Sequence, residues 1–261
     1  MTLRKAVTAP AAGALLAALA HGPAWAPDHQ NLEELLPTTV VDAYLVPYRG
    51  REIQSSFRWE ENEEGEGRFV VAPRLEFGPF RNFQAEITVP YRAGDTDDAD
   101  SGDVSLAGFY NFNQETVTVP AFTLGGEVVA PWGQGDEPWQ TEVKFILTKT
   151  MPSRVHQRIH FNGGWIHAYD AAGNEREDRY EIGLGYSVAV QAQTIFIADV
   201  VRSEELREGR ENNLVEAGVR YQLTPLTVLT AGGAVGFAGS ETDYRVLVGF
   251  QHGLARLAFY E

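Results

Sequence analysis

The chain has 261 residues, 44% hydrophobic and 22% charged, with 36 acidic side chains against 21 basic ones and no cysteine. A formal charge of −15 argues against a nucleic-acid binder, which needs clustered Lys and Arg facing phosphate. The missing thiols exclude disulfides, thiol catalysis and thiolate metal sites. Beyond the N-terminus no run of 18 apolar residues occurs, which excludes a transmembrane helix but not a barrel.

The first residues read as a secretory signal: Arg4 and Lys5 supply the positive end, and Ala6 to Ala20 form a short apolar core. Ala18-Leu19-Ala20 favours cleavage after residue 20, and Ala24-Trp25-Ala26 offers a competing site after residue 26. Residues 27–51 form a separate periplasmic segment. In it Asn31 stands as an N-cap with Glu34 three residues on, opening a short helical turn that ends at Leu36 before Pro37. Val40 to Tyr48 is mostly apolar and reads equally well as an extended stretch along the periplasmic rim or inside a lumen.

From residue 52 the pattern changes to period two. In RFVVAPRLEF (68–77), Phe69, Val71, Pro73, Leu75 and Phe77 share one face, and Arg68, Arg74 and Glu76 share the other. The next stretch repeats it, with Phe83, Ala85, Ile87, Val89 and Tyr91 opposed to Gln84, Glu86, Thr88 and Arg92. The alternation predicts strands over 52–59, 67–77, 83–93, 104–112, 118–132, 141–150, 155–168, 179–190, 194–202, 213–222, 226–238 and 243–252. The course after 252 is open.

Connections alternate in character. Six long windows (60–66, 94–103, 133–142, 169–178, 203–212 and 239–243) hold 23 of the 36 acids, whereas the intervening short turns hold only Glu115. Twelve strands joined alternately by long acidic loops and short turns predict an all-β, antiparallel, up-and-down transmembrane barrel over 52–261, its short turns and both termini periplasmic. Aromatic residues gather at strand ends, Trp59, Tyr91, Trp132 and Trp165 on the loop side and Phe77, Phe83, Phe112 and Tyr221 on the turn side, as two interfacial girdles would require. A soluble β-sandwich also alternates, but its apolar face points inward and it has no use for such rims.

On this register the inward face collects Arg68, Arg74, Glu76, Glu86, Arg92, Asn111, Glu127, Lys144, His156, Arg158, His160, Asn162, Glu181, Asp199, Glu216, Arg220 and Arg245. Both signs are present. They read either as a paired ionic network filling a narrow interior or as a pore lining that selects solutes by charge. His156 and His160 are about 13 Å apart on an extended strand, too far to chelate one metal. No metal or other cofactor is expected.

Ser105 and Ser187 are mid-strand serines with no GxSxG elbow, and the glycine-rich run from Gly232 to Gly239 lacks the Lys-Ser/Thr ending of a phosphate loop; no enzyme is expected. The acid-rich loops, densest at Glu60 to Glu66 and Asp95 to Asp103, read as solvated charge or as sites for cations bridging to lipopolysaccharide.

The segments LEELLPTTVVDAYLVPYRGRE (32–52), LEFGPFRNFQAEITVPYR (75–92), SGDVSLAGFYNFN (101–113), GGEVVAPWG (125–133) and NLVEAGVRYQLTPLTVLTAGGAVGF (213–237) together resemble the outer-membrane barrels grouped as transporters of the phenol-degradation meta-pathway type. The resemblance implies an outer-membrane location and passage of small, often hydrophobic or aromatic, compounds, and it carries over no individual site residue. The chain departs by ending in Phe259-Tyr260-Glu261, where such barrels often end on an aromatic residue. The expected partners are membrane lipid, lipopolysaccharide, a small solute and the barrel-assembly machinery. The expected function is a passive outer-membrane channel. The alternatives are a structural or envelope-interaction barrel with a plugged lumen and ligand-binding acidic loops and, third, a lipid-modifying enzyme.

Overall fold

The computed structural model describes residues 27–96, 100–133 and 138–254. The expected signal (1–20 or 1–26), the chain after 254 and the loop acids Asp97, Asp98, Asp136 and Glu137 lie outside the described residues.

Among the described residues thirteen strands follow one another: β1 (Arg51–Asn62), β2 (Gly67–Phe80), β3 (Phe83–Thr88), β4 (Tyr91–Gly94), β5 (Ser101–Asn113), β6 (Ala121–Gly133), β7 (Gln140–Thr150), β8 (Gln157–Ala168), β9 (Asp178–Gln191), β10 (Thr194–Glu204), β11 (Glu211–Thr224), β12 (Thr227–Gly236) and β13 (Thr242–Gly253). Neighbours pair antiparallel, and β1 pairs with β13 from Glu52 opposite Gly253 to Asn62 opposite Thr242, so the sheet closes on itself. β3 and β4 both lie between β2 and β5 and make up one stave, which gives a closed barrel of twelve staves.

The sequence placed that stave unbroken over 83–93; it is interrupted at Val89-Pro90 because proline has no N–H to give to a ladder. Bonds from Val89 N to Pro73 O at 3.0 Å and from Asp103 N to Pro90 O at 3.2 Å carry the wall across the gap. The fifth stave, β6, begins at Ala121 rather than 118, since Thr116 and Val119 close a turn on each other at 2.9 Å. Among the described residues there is no helix. The turn expected at Asn31 to Leu36 is instead a tight bend in which Leu35 has φ 58° and donates its N–H to Thr38 O at 2.8 Å, so Asn31 caps nothing.

Burial is inverted relative to a soluble fold. Leu184 is 57% exposed and Val248 52%, while Arg220 and His160 are fully buried. A continuous apolar exterior of Val, Leu and Ile is untenable in water and suits acyl chains. Trp59, Phe69, Tyr91, Trp132 and Trp165 are exposed towards the loop-side strand ends, with Tyr91 and Trp132 stacked at 6.0 Å; Phe80, Tyr110, Phe112 and Tyr221 are exposed on the turn side. The outward set is therefore the apolar one, contrary to a sandwich.

An arginine placed at Leu184, mid-stave in β9, is expected to cost about 2–4 kcal/mol. Reversible denaturant unfolding from phospholipid vesicles checks this, and a change near zero would mean that Leu184 does not face hydrocarbon.

Candidate functional site

The interior of the barrel is occupied by residues 27–50. The backbone of this segment circles the inside of the wall, visiting the staves in reverse chain order. Thr39 N donates to Glu216 on β11 at 2.7 Å, Val40 N to Asp199 on β10 at 3.1 Å and Val41 N to Asn162 on β8 at 2.8 Å. Ala43 N then donates to Thr148 on β7 at 2.9 Å, Ala43 O accepts from Thr123 on β6 and Asn111 on β5, and Val46 N reaches Gln84 on β3 at 2.5 Å. Arg49 N closes the circuit on Gly78 O of β2 at 2.7 Å. An extended chain with no sheet partner must still satisfy its amides when buried, and here wall side chains do so.

Close approach depends on glycine in the wall. A Cβ at Gly183 or Gly185 would lie 2.6 or 2.8 Å from the Val40 methyl groups, so β9 can hold that side chain only where it lacks its own. Leu32 packs under Ile195 and Ile197, and Ala43 joins Phe109, Ala121 and Ile146 in a second apolar contact.

The inward residues expected from the alternation fall into three layers. Towards the loops, Glu60 binds Arg58 (3.0 Å), Arg68 (2.7 Å) and Arg245 (2.6 Å), and Arg245 also binds Glu216 (2.9 Å). Arg92 pairs with Asp103 at 2.6 Å. At mid-height Arg74 stands 3.6 Å from Glu76, 3.8 Å from Glu86 and 4.0 Å from Glu34, and Lys144 binds Glu34 (3.0 Å) and Glu142 (3.5 Å). Glu127 and Glu181 belong to the same region, opposite Glu142 and Gly164 respectively.

Towards the turns, Arg158 bonds Asp42 at 3.2 Å and Gln30 O at 2.9 Å. Arg220 gives its donors to His29 O, Leu36 O and the Gln251 side chain. His156 precedes β8, partly exposed at the turn, rather than continuing the strand from 155. Ser187, which lies in no recognisable catalytic motif, accepts or donates a 2.9 Å bond with His160 Nε2, whose Nδ1 meets Thr148 at 3.1 Å. That pair has a hydroxyl where a nucleophilic site would have an orienting carboxylate, and all three side chains are buried.

Sequence reasoning missed Asp42, Glu52, Gln54 and Gln251 as interior groups. Their inward period was available, but uncharged amides and residues at strand openings do not stand out in a pattern dominated by charge. Space lies beside the segment in at least two places. One of about 200 Å³ on the loop side is lined by Glu34, Arg58, Arg74, Arg92, Asp103 and Glu127; another, of about 810 Å³, is a groove open to solvent at the turn rim against Tyr44, Glu115, Lys149 and Met151. They share no lining residue.

No family model matches the chain by sequence. No curated protein matches it either. Solved structures do. An outer membrane channel from Pseudomonas putida F1 superposes with a TM-score of 0.63 at 10% identity, over 81% of this chain and 98% of its own. The NanC porin follows at 0.54 and 8%, over 77% and 98%. The KdgM porin, solved in complex with disordered oligogalacturonate, gives 0.52 and 8%, over 76% and 98%. At such identities the likeness is one of fold, and the fold is that of outer-membrane β-barrels.

Glu115, in the 114–120 turn, ties the segment to the wall through Tyr44 Oη (2.6 Å), Lys149 Nζ (2.5 Å) and Thr150. Partial burial pushes its carboxyl up, but the hydrogen bonds from Lys149, Tyr44 and Thr150 outweigh this and hold it down at about 2. A depressed acid stabilises the bonded state above its ordinary value near 4.5 and loses that contribution as pH falls through about 2. A fluorophore on a cysteine at Tyr48, the sole thiol of such a variant, is expected to report loosening over that window. Lys149→Ala should move the loosening to higher pH; an unchanged midpoint would remove Lys149 from the clasp.

Proposed function

We propose that this protein is an outer-membrane channel for passive movement of small organic solutes, exported across the periplasm and inserted by the barrel-assembly machinery, with lipid and lipopolysaccharide around it. The observation that carries the reading is a closed barrel whose interior face bears both signs of charge and keeps open space on both the loop and the turn side of an interior segment. A structural barrel could satisfy closure with an apolar or side-chain-filled interior, as eight staves do; twelve staves enclose more than side chains fill, and here a backbone segment takes up the difference. The fold shared with channels and porins supports the same reading.

The substrate class follows from the resemblance to phenol-degradation-type transporters: small, hydrophobic or aromatic compounds. Lumen charges such as Arg68, Arg74, Arg92 and Lys144 set selectivity, and the seating of residues 27–50 sets how much passes. The second reading, a plugged barrel acting through its acidic loops, is favoured by one observation: the segment is bonded to eight staves, from β11 round to β2, more densely than a loose constriction needs.

Planar-bilayer recording separates the two. The full chain is expected to give small discrete currents and a chain lacking 27–50 currents at least several-fold larger, with Arg74→Ala shifting the ion preference. A folded barrel that conducts in neither form would eliminate the channel.

A further inference from the structure

Three carboxylates meet where the interior segment crosses the first two staves. Glu33 belongs to the segment, Glu52 opens β1 and Glu76 faces Glu52 across the ladder; one carboxylate oxygen from each lies within 4.8 Å of the other two. Glu52 is 3% exposed and Glu76 0%. The neutral amide of Gln251 serves two of them, its Nε2 donating to Glu33 Oε1 at 3.3 Å and to Glu52 Oε2.

Glu76 has no such donor. Neither of its oxygens has a hydrogen-bond partner, although the side chain is wholly buried and directed into the cluster. The Arg74 guanidinium stands 3.6 Å away, divided among Glu76, Glu86 and Glu34, and its Nε donates to Thr88. Arg220 spends its donors on two backbone carbonyls and the Gln251 oxygen. Gln54, the next inward position after Glu52, is 1% exposed, and both atoms of its amide are also without a partner.

Buried acceptors left without donors are costly, and more so when charged, unless something else meets them. An all-oxygen set of three carboxylates with a neutral amide beside it suits a hard divalent cation and offers no nitrogen or sulfur for a softer one.

We propose that Glu33, Glu52 and Glu76 form a divalent-cation site of the calcium class that fastens the interior segment to the wall at β1 and β2. The cation would supply the positive charge that Arg74 and Gln251 leave short, and because Glu33 alone comes from the segment, binding would favour the seated state. The site stands independently of whether the barrel conducts.

The test is titration calorimetry with calcium chloride on the folded, chelator-stripped barrel in detergent at neutral pH. One equivalent is expected to bind in a saturable step. Glu33→Gln and Glu76→Gln should each weaken that step at least ten-fold, and Glu63→Gln, in an exposed loop, should leave it unchanged. Glu33 lies outside the staves, so its variant should still fold, which heat-modifiable gel migration verifies. Binding that is equal in all three variants would belong to the acidic loops and would overturn the site. A folded wild-type barrel that takes up no calcium would mean that the three carboxylates share protons instead, and would overturn it as well.

Discussion

The ladder between β1 and β13 is the contact without which nothing else in this structure could stand. Hydrocarbon offers no partner to a peptide N–H or C=O, so a sheet can cross it only when no edge remains. Closure makes the two faces of every strand unequal for good: one meets acyl chains, the other an enclosed interior. Side chains then sort with period two, and an apolar exterior from Phe57 to Val248 and a polar interior from Glu52 to Gln251 follow from the same geometry.

The polar interior in turn makes the N-terminal segment possible. Residues 38–46 have no strand beside them, and their amides would be stranded in an apolar core. Acceptors on the wall, from Glu216 round to Gln84, replace the missing ladder one stave at a time. The wall gains as well, since Glu34 joins Glu142 on Lys144 and Asp42 pairs with Arg158 in the enclosed interior. Segment and lumen are two halves of one polar network.

Much of the wall was legible in advance because a barrel strand writes its environment into alternate residues. RFVVAPRLEF sorted Arg68 and Arg74 from Phe69 and Leu75 without any knowledge of partners, and the acidic loops marked one end of each stave. The break at Val89-Pro90 was also legible in principle, since proline within a run argues against an unbroken strand. The placement of residues 27–50 was not. Val40, Val41, Ala43 and Val46 carry no periodic signal that separates a rim from a lumen, and their bonding partners lie far away in sequence, as Val40 and Asp199 do at 159 residues. Glu34 after Asn31 looked like a capping pair, whereas the bend at Leu35 and the pull of Lys144 turn it inward. Glycines such as Gly183 and Gly185 fall on the inward face by the same alternation, but only a packed neighbour reveals what their missing side chains make room for.

The reversed circuit of the segment bears on assembly order. Thr39 bonds to side chains 177 and 206 residues further on, so its contacts form only when the last staves are present. His29, beside Ala192 between β9 and β10, and Arg51, opening β1, both sit at the short-turn end. Both described ends of the stretch thus lie at one end of the cylinder, and the ladder that closes the wall from β1 to β13 is complete without it.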